Sequence, residues 1–399
     1  MGAAFASAAT VLMSIAASQI LLGLAILLIL LSRTPIRAPR IWIPLALFLL
    51  WTLLSMAASP DPRAGWPQVK KIYVYTTLVV VYSAFLELRA ARYLTVAWTA
   101  IGDFTGIWGI GQFLRKMHEA RVLNRNFYEY YMDGRITGLM SHWMTFSGEE
   151  MIVLVLLLAY LLFARAHRDR VWWAMAAGAG VVSIGLVLGE TRSVWVACLV
   201  AALYLAWSYR RWLVLVLPVA LALGVAVAPA PVRQRAVSIF KPRKDVDSND
   251  FRFVCWRTGM VMIRQHPLLG VGPEEVRAHF MDYVPADIPR PLPVGAYIHL
   301  HNFYLHYAAE RGIPSLLLLL WMFAWMLWDY HRALRRLPPG PSTRRYLLHG
   351  AIAVVLAVLV EGAFELNIGD SEVLAMFLAV AACGYRAAEE PAPAVPAAA

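Results

Sequence analysis

The feature that most constrains this chain is its succession of apolar runs, each about as long as a bilayer's hydrocarbon core demands and each closed by a short polar or basic turn. About 20 apolar residues span that core as a helix, and a backbone in hydrocarbon has to satisfy its own hydrogen bonds. Such a chain folds as an all-α polytopic membrane protein. The runs lie near 3–31, 42–58, 72–88, 94–113, 151–163, 171–188, 194–207, 213–228, 314–330, 347–360 and 373–382. The first is too long for one upright helix and short for two; a break near Ser18-Gln19 would bring the total to twelve.

Charged residues make up only 15% of the chain and hydrophobic ones 60%, where soluble proteins carry about 25% charged. The first run has no basic leader, so we read it as a retained helix rather than a cleaved signal. Three cysteines (Cys198, Cys255, Cys383) provide no disulfide framework and no metal-ligand spacing. The net charge of +11 does not imply nucleic acid. It arises largely from short-loop arginines such as Arg33, Arg37, Arg40, Arg89, Arg92, Arg210 and Arg211, which alternate onto one side of the spans. The positive-inside rule makes that side cytoplasmic and turns the long loops, about 114–150 and 229–312, outward. The expected organisation is transmembrane helices over 1–228, an outward helical cap over 229–312, further spans over 313–388, and a cytoplasmic Ala/Pro tail over 389–399 that has no means to form a core.

Three places concentrate chemistry. Arg192, in LGETRSVW, sits in a turn too short to leave the membrane interface, where a charge must pair or face a cavity. Its neighbour Glu190 either pairs with it or meets acceptor hydroxyls. Arg252 and Trp256 are four apart, on one face of a helix, whether as an ordinary amphipathic face or as part of a site. His301 precedes Asn302 at an expected helix start, where free backbone N–H groups favour an anion and an imidazole can exchange a proton near neutral pH. A structural role for this histidine stays open, with His299 and His306 close by. Asp245-Val246-Asp247 has the Asp-x-Asp form of a metal-holding pair, but in so charge-dense a stretch we read it as coincidence. His306 and Glu310 lack the HExxH context of zinc sites. We therefore expect no metal and no cofactor.

Taken in order, these patterns resemble the O-antigen ligase family, within a superfamily that includes O-antigen polymerases and protein O-oligosaccharyltransferases. The resemblance rests on Arg135-Ile-Thr-Gly138, on Glu190-Thr-Arg192-Ser, and on the long-loop series from Arg252 and Trp256 through His266-Pro-Leu-Leu-Gly270-Val-Gly272 to His301-Asn302 and Glu310-Arg-Gly312-Ile-Pro314. It departs from the family pattern where Pro314-Ser315 replaces a second glycine. The resemblance implies a C-type glycosyltransferase architecture in the bacterial inner (cytoplasmic) membrane with its site facing the periplasm. It further implies inverting, metal-independent transfer of a glycan from undecaprenyl pyrophosphate to lipid A–core oligosaccharide. His301, Arg192 and Arg252 would be the catalytic set. Arg135, Glu190, Trp256, Arg257, Asn302 and Glu310 would bind substrate. The polymerase and O-oligosaccharyltransferase readings use the same donor. A transporter of lipid-linked glycan would instead place charges through the bilayer midplane, where Glu361 and Glu365 are the candidates.

Overall fold

The computed structural model describes residues 1–165, 167–241 and 249–389, and among them every regular element is a helix. The Asp245/Asp247 pair and all but the first residue of the 389–399 tail fall outside the described residues. In chain order the helices are α1 (Gly2–Thr10), α2 (Ile15–Leu31), α3 (Trp42–Ala57), α4 (Trp66–Ala84), α5 (Leu88–Val122), α6 (Phe127–Asp133), α7 (Trp143–Phe163) and α8 (Arg170–Leu188). They continue as α9 (Arg192–Tyr209), α10 (Leu213–Val227), α11 (Ala230–Val237), α12 (Asn249–Gln265), α13 (Glu275–His279), α14 (Phe303–Arg336), α15 (Thr343–Gly362) and α16 (Ser371–Ala388). By length and composition alone, α7, α8, α9, α14, α15 and α16 are long and apolar enough to cross a membrane, and α2, α3 and α10 are shorter apolar helices. This is a multi-pass membrane protein.

The centre is α7, α15 and α16, which are buried over most of their length and pack on one another. Small residues make that close packing possible: Gly350 of α15 lies against Leu156 and Ala159 of α7, and Gly384 of α16 against Ala351. Around them, α8 and α9 keep apolar faces outward, and α10 buries no residue at all. Those exposed faces suit lipid.

Two expectations about the early chain need correction. The first run does divide, but at Val11–Ser14, where Ser14 caps α2 by accepting from Ala17 N at 3.3 Å, and not at Ser18-Gln19. Ser18 and Ser7 exchange hydroxyl-to-carbonyl bonds of 2.9 Å, folding α1 back along α2. At about 1.5 Å per residue, the 9 residues of α1 rise roughly 14 Å, half of what spanning needs. The loop expected at 114–150 is also more helical than hydropathy suggested. α5 runs for 35 residues, and α7 begins at Trp143 with His142 accepting from Met144 N. Hydropathy marks where hydrocarbon ends; α5 continues past that point through Arg, Lys, Glu and Ala, all good helix formers, and α7 begins before it at Trp143.

The cap is fastened to the bundle by a backbone clasp. Pro314 has no N–H, so the Glu310 carbonyl loses its helical donor, and α14 breaks at Gly312 (φ 82, ψ 163). The turn after α12 supplies what is missing. Val271 N donates to Ala309 O and Gly272 N to Glu310 O, both at 2.9 Å, while Ile313 N donates to Pro267 O at 2.8 Å. Gly312 has no alternative residue: its φ is left-handed, and a Cβ there would lie 1.8 Å from the Leu268 carbonyl oxygen. From α3, Trp51 Nε1 donates to Arg311 O at 3.0 Å and Ser55 Oγ to Leu269 O at 2.6 Å. Above the clasp, Phe251, Val254, Cys255, Met262, Phe280 and Leu300 form a small core of the cap's own.

Sidedness has a direct test. With Cys198 replaced by serine, a cysteine introduced at exposed Met281 of the cap should react with an impermeant reagent in intact spheroplasts, and one at exposed Pro339, before α15, should not. The opposite pattern would invert the topology.

Candidate active site

The site is built where the first turn of α9 meets the cap. Thr191 precedes α9, and its hydroxyl lies 2.9 Å from Ser147 Oγ of α7. Tyr131 of α6 donates to Leu188 O at 2.6 Å, so the turn is held from two sides. Glu190 has a left-handed backbone (φ 49) that few non-glycine residues adopt without a reason. That conformation aims its carbonyl between two guanidinium groups, Arg135 NH1 at 3.1 Å and Arg235 Nε at 2.8 Å. Arg192, buried at the start of α9, donates to Ser238 O at 2.7 Å. Ser238 Oγ in turn donates to Arg235 O at 2.8 Å. Arg192 and Arg235 are thereby tied to the same turn of α11, and Arg235 lies within electrostatic reach of both Arg135 and Arg252. An open groove of about 430 Å³ runs along α11 past Arg233, Val237 and Ser238.

Four arginines from four separate segments therefore converge. Arg135 stacks over Trp143 (4.7 Å to the ring centroid). Burial, then the charge of Arg235, brings its guanidinium down to about 9, still protonated at neutral pH. Burial also lowers Arg252, against the pull of Glu365. Among the described residues, Arg135 Nε, Arg252 Nε and Trp143 Nε1 are buried without a hydrogen-bond partner. A buried region with surplus donors and surplus positive charge is suited to an anion.

The second half of the site centres on Glu365, in the loop between α15 and α16. Arg252 NH2 lies 3.3 Å from Glu365 Oε2, His301 Nδ1 3.1 Å from the same oxygen, and His299 Nε2 3.4 Å from Oε1. Burial works to raise this carboxyl, but the hydrogen bond from His301 and the charges around it win and hold it at about 2. Burial pulls the His299 imidazole down to about 3 despite Glu365, so that ring is neutral. His301 also has a left-handed backbone (φ 47), and its Nε2 lies 3.0 Å from Ala296 O. Both ring nitrogens thus face acceptors, an arrangement that the doubly protonated ring satisfies. For His301 to take a proton from a substrate, Nε2 has to be unprotonated and turned from the Ala296 carbonyl.

The remaining residues expected at the site divide. Trp256 does share a face with Arg252, and its Nε1 donates to His301 O at 3.4 Å. Asn302 caps α14, accepting from Leu305 N at 3.0 Å, and donates to Ala363 O at 2.9 Å, which anchors the Glu365 loop. Arg257 is not brought to the cluster; it pairs with Asp287 (3.0 and 2.8 Å) on the cap's surface. Glu310 lies in the clasp, with one oxygen accepting from Glu274 N at 2.7 Å and the other from Arg311 Nε at 3.0 Å. Sequence reasoning passed over Arg235 and weighed Glu365 only as a transporter charge. Glu365's one sequence signal was a carboxylate beside an apolar span.

His299, His301 and Glu365 offer three ligand atoms within 4.8 Å of one another, the one such group among the described residues. Arg252 on the same carboxylate oxygen puts a fixed positive charge beside any cation there. The residues fit an ion-pair network better than a divalent metal.

The fold is that of a multi-pass helical membrane protein, with arginines from four segments gathered where the first turn of α9 meets α11 and α12. Residues 177–320 match the model of the family described as O-Antigen ligase, and over that stretch the chain is similar to this family. The match takes in Arg192, Arg235, Arg252 and His301; Arg135 and Glu365 lie outside it. No curated protein matches the chain.

Proposed function

We propose that the protein transfers an O-antigen glycan from undecaprenyl pyrophosphate to lipid A–core oligosaccharide at the periplasmic face of the inner membrane, with inversion and without a metal. The carrying observation is the convergence of Arg135, Arg192, Arg235 and Arg252, with Arg135 Nε and Arg252 Nε unpartnered among the described residues, at the junction of bundle and cap. In this reading the acceptor hydroxyl oxygen bonds to the anomeric carbon as the bond from that carbon to the phosphate oxygen breaks. The electron pair leaves on the pyrophosphate, and the hydroxyl proton passes to a base, for which His301 is placed once Nε2 has released its own proton to solvent and turned from the Ala296 carbonyl. Guanidinium groups meet the growing phosphate charge with bidentate, charge-assisted bonds, the service a metal performs elsewhere.

The architecture would be of the C-type, with eleven spans and α1 as a half-length partner of α2. The test is transfer in proteoliposomes with a labelled glycan-pyrophosphate-lipid, offering lipid A–core in one arm and a second lipid-linked glycan in another. Product on lipid A–core supports the ligase. Product only on the second glycan makes the protein a polymerase, and translocation without product makes it a transporter. Transfer should also survive excess EDTA; activity lost to EDTA and restored by Mg²⁺ or Mn²⁺ would overturn the metal-free account.

A further inference from the structure

We propose that Glu365 is a positioning residue: it holds His301 and Arg252 in register, and it competes with the donor's anion for Arg252. Glu365 is 5% exposed and lies outside the family-matched stretch. Three cationic or donating side chains from two cap segments converge on it, Arg252 from α12 and His299 and His301 from the chain leading into α14. The loop bearing it is held by Asn302 donating to Ala363 O at 2.9 Å and by Asn367 donating to Val358 O at 2.9 Å. The carboxylate is therefore a fixed point on which Arg252, His299 and His301 are held.

Two consequences follow from charge alone. With Glu365 ionised, His301 is pinned through Nδ1, and its Nε2 is aimed at the Ala296 carbonyl. Meanwhile one fork of Arg252 is occupied by an internal anion, while its Nε has no partner. An incoming phosphate oxygen meets an arginine already oriented, and binds against a negative charge that Arg252 partly neutralises. Neutralising Glu365 should therefore strengthen binding of an anion while weakening turnover, because the site gains positive charge and loses its alignment.

The second clause rests on the lipid-pyrophosphate reading; the first does not. The experiment compares wild type, Glu365→Gln, Glu365→Asp and, as a control, Glu361→Gln, whose carboxylate contacts Asn367 and none of the three. Undecaprenyl pyrophosphate affinity and single-turnover transfer are measured together. Carbethoxylation of His301 by diethylpyrocarbonate is followed by peptide mass spectrometry, which needs no substrate. Glu365→Gln should bind the lipid pyrophosphate about 3- to 10-fold more tightly and turn over about 100-fold more slowly. Glu365→Asp should recover part of the rate, Glu361→Gln should match wild type, and His301 should react faster in Glu365→Gln than in wild type. Equal His301 reactivity in wild type and Glu365→Gln would overturn the positioning role, whether or not any donor binds. Affinity and turnover falling in parallel would overturn the competition. Failure of wild type to bind the lipid pyrophosphate, with the reactivity contrast intact, would count against the donor assignment and leave Glu365 in its role.

Discussion

Arg252→Ala should slow glycan transfer about 100- to 1000-fold, a loss on the order of 3–4 kcal/mol of transition-state stabilisation. The guanidinium is half-buried, spends NH2 on Glu365 at 3.3 Å, and keeps its buried Nε without a partner among the described residues. Its remaining donors are what a departing pyrophosphate would engage, and that bond strengthens as charge develops. Arg252→Lys keeps a charge but not the planar fork, so it should recover only part of the rate. Arg192→Ala should match it, with some loosening of α11 because Ser238 loses its donor. Single-turnover rates within threefold of wild type in both alanine variants would remove arginine catalysis from the account.

Glu310→Ala should cost about 3–5 kcal/mol of stability, the usual penalty for stranding a buried charge. Glu310 and Arg311 are 1% and 3% exposed, and Glu310 Oε2 accepts from Arg311 Nε at 3.0 Å. Arg311 NH2 reaches Gln68 of α4 at 2.7 Å, and Glu310 Oε1 accepts the Glu274 backbone N–H of the cap at 2.7 Å. Losing the carboxylate thus leaves a buried guanidinium poorly compensated and unties the cap from the bundle. Thermal unfolding in detergent should show a clear fall, with donor affinity per folded molecule close to wild type. A stable Glu310→Ala protein that no longer binds donor would instead return Glu310 to the substrate-binding set expected from its motif.

The sequence disclosed what depends on local pattern. Apolar runs marked most of the long helices, because hydrocarbon demands them in unbroken stretches. The Arg192 turn stood out because a charge so near the bilayer needs a reason. Arg252 and Trp256 were placed on one face by helical spacing alone, as the Trp256 bond to His301 O bears out. What stayed hidden depends on distance along the chain. Glu365 is 113 residues from Arg252 and 64 from His301, and no spacing rule joins them. Arg235 sat among many loop cations, with nothing to separate it from a solvated surface until the Glu190 carbonyl was seen to turn toward it. Glu310 read as substrate-binding because its motif neighbours did. Only the clasp shows that Pro314 frees its carbonyl and that Arg311 and Glu274 occupy its side chain.

The central claim is that arginines from four segments make one anion site for a lipid pyrophosphate. Its most direct test is the affinity of undecaprenyl pyrophosphate for wild type and for the single alanine variants of Arg135, Arg192, Arg235 and Arg252, with the uncharged polyprenol as control. Each variant should lose about 10-fold or more in affinity, as expected when a charged hydrogen bond of at least 1.4 kcal/mol is removed, and the polyprenol should bind no better than background. Unchanged affinity in Arg192→Ala and Arg252→Ala, or equal binding of the uncharged lipid, would contradict it.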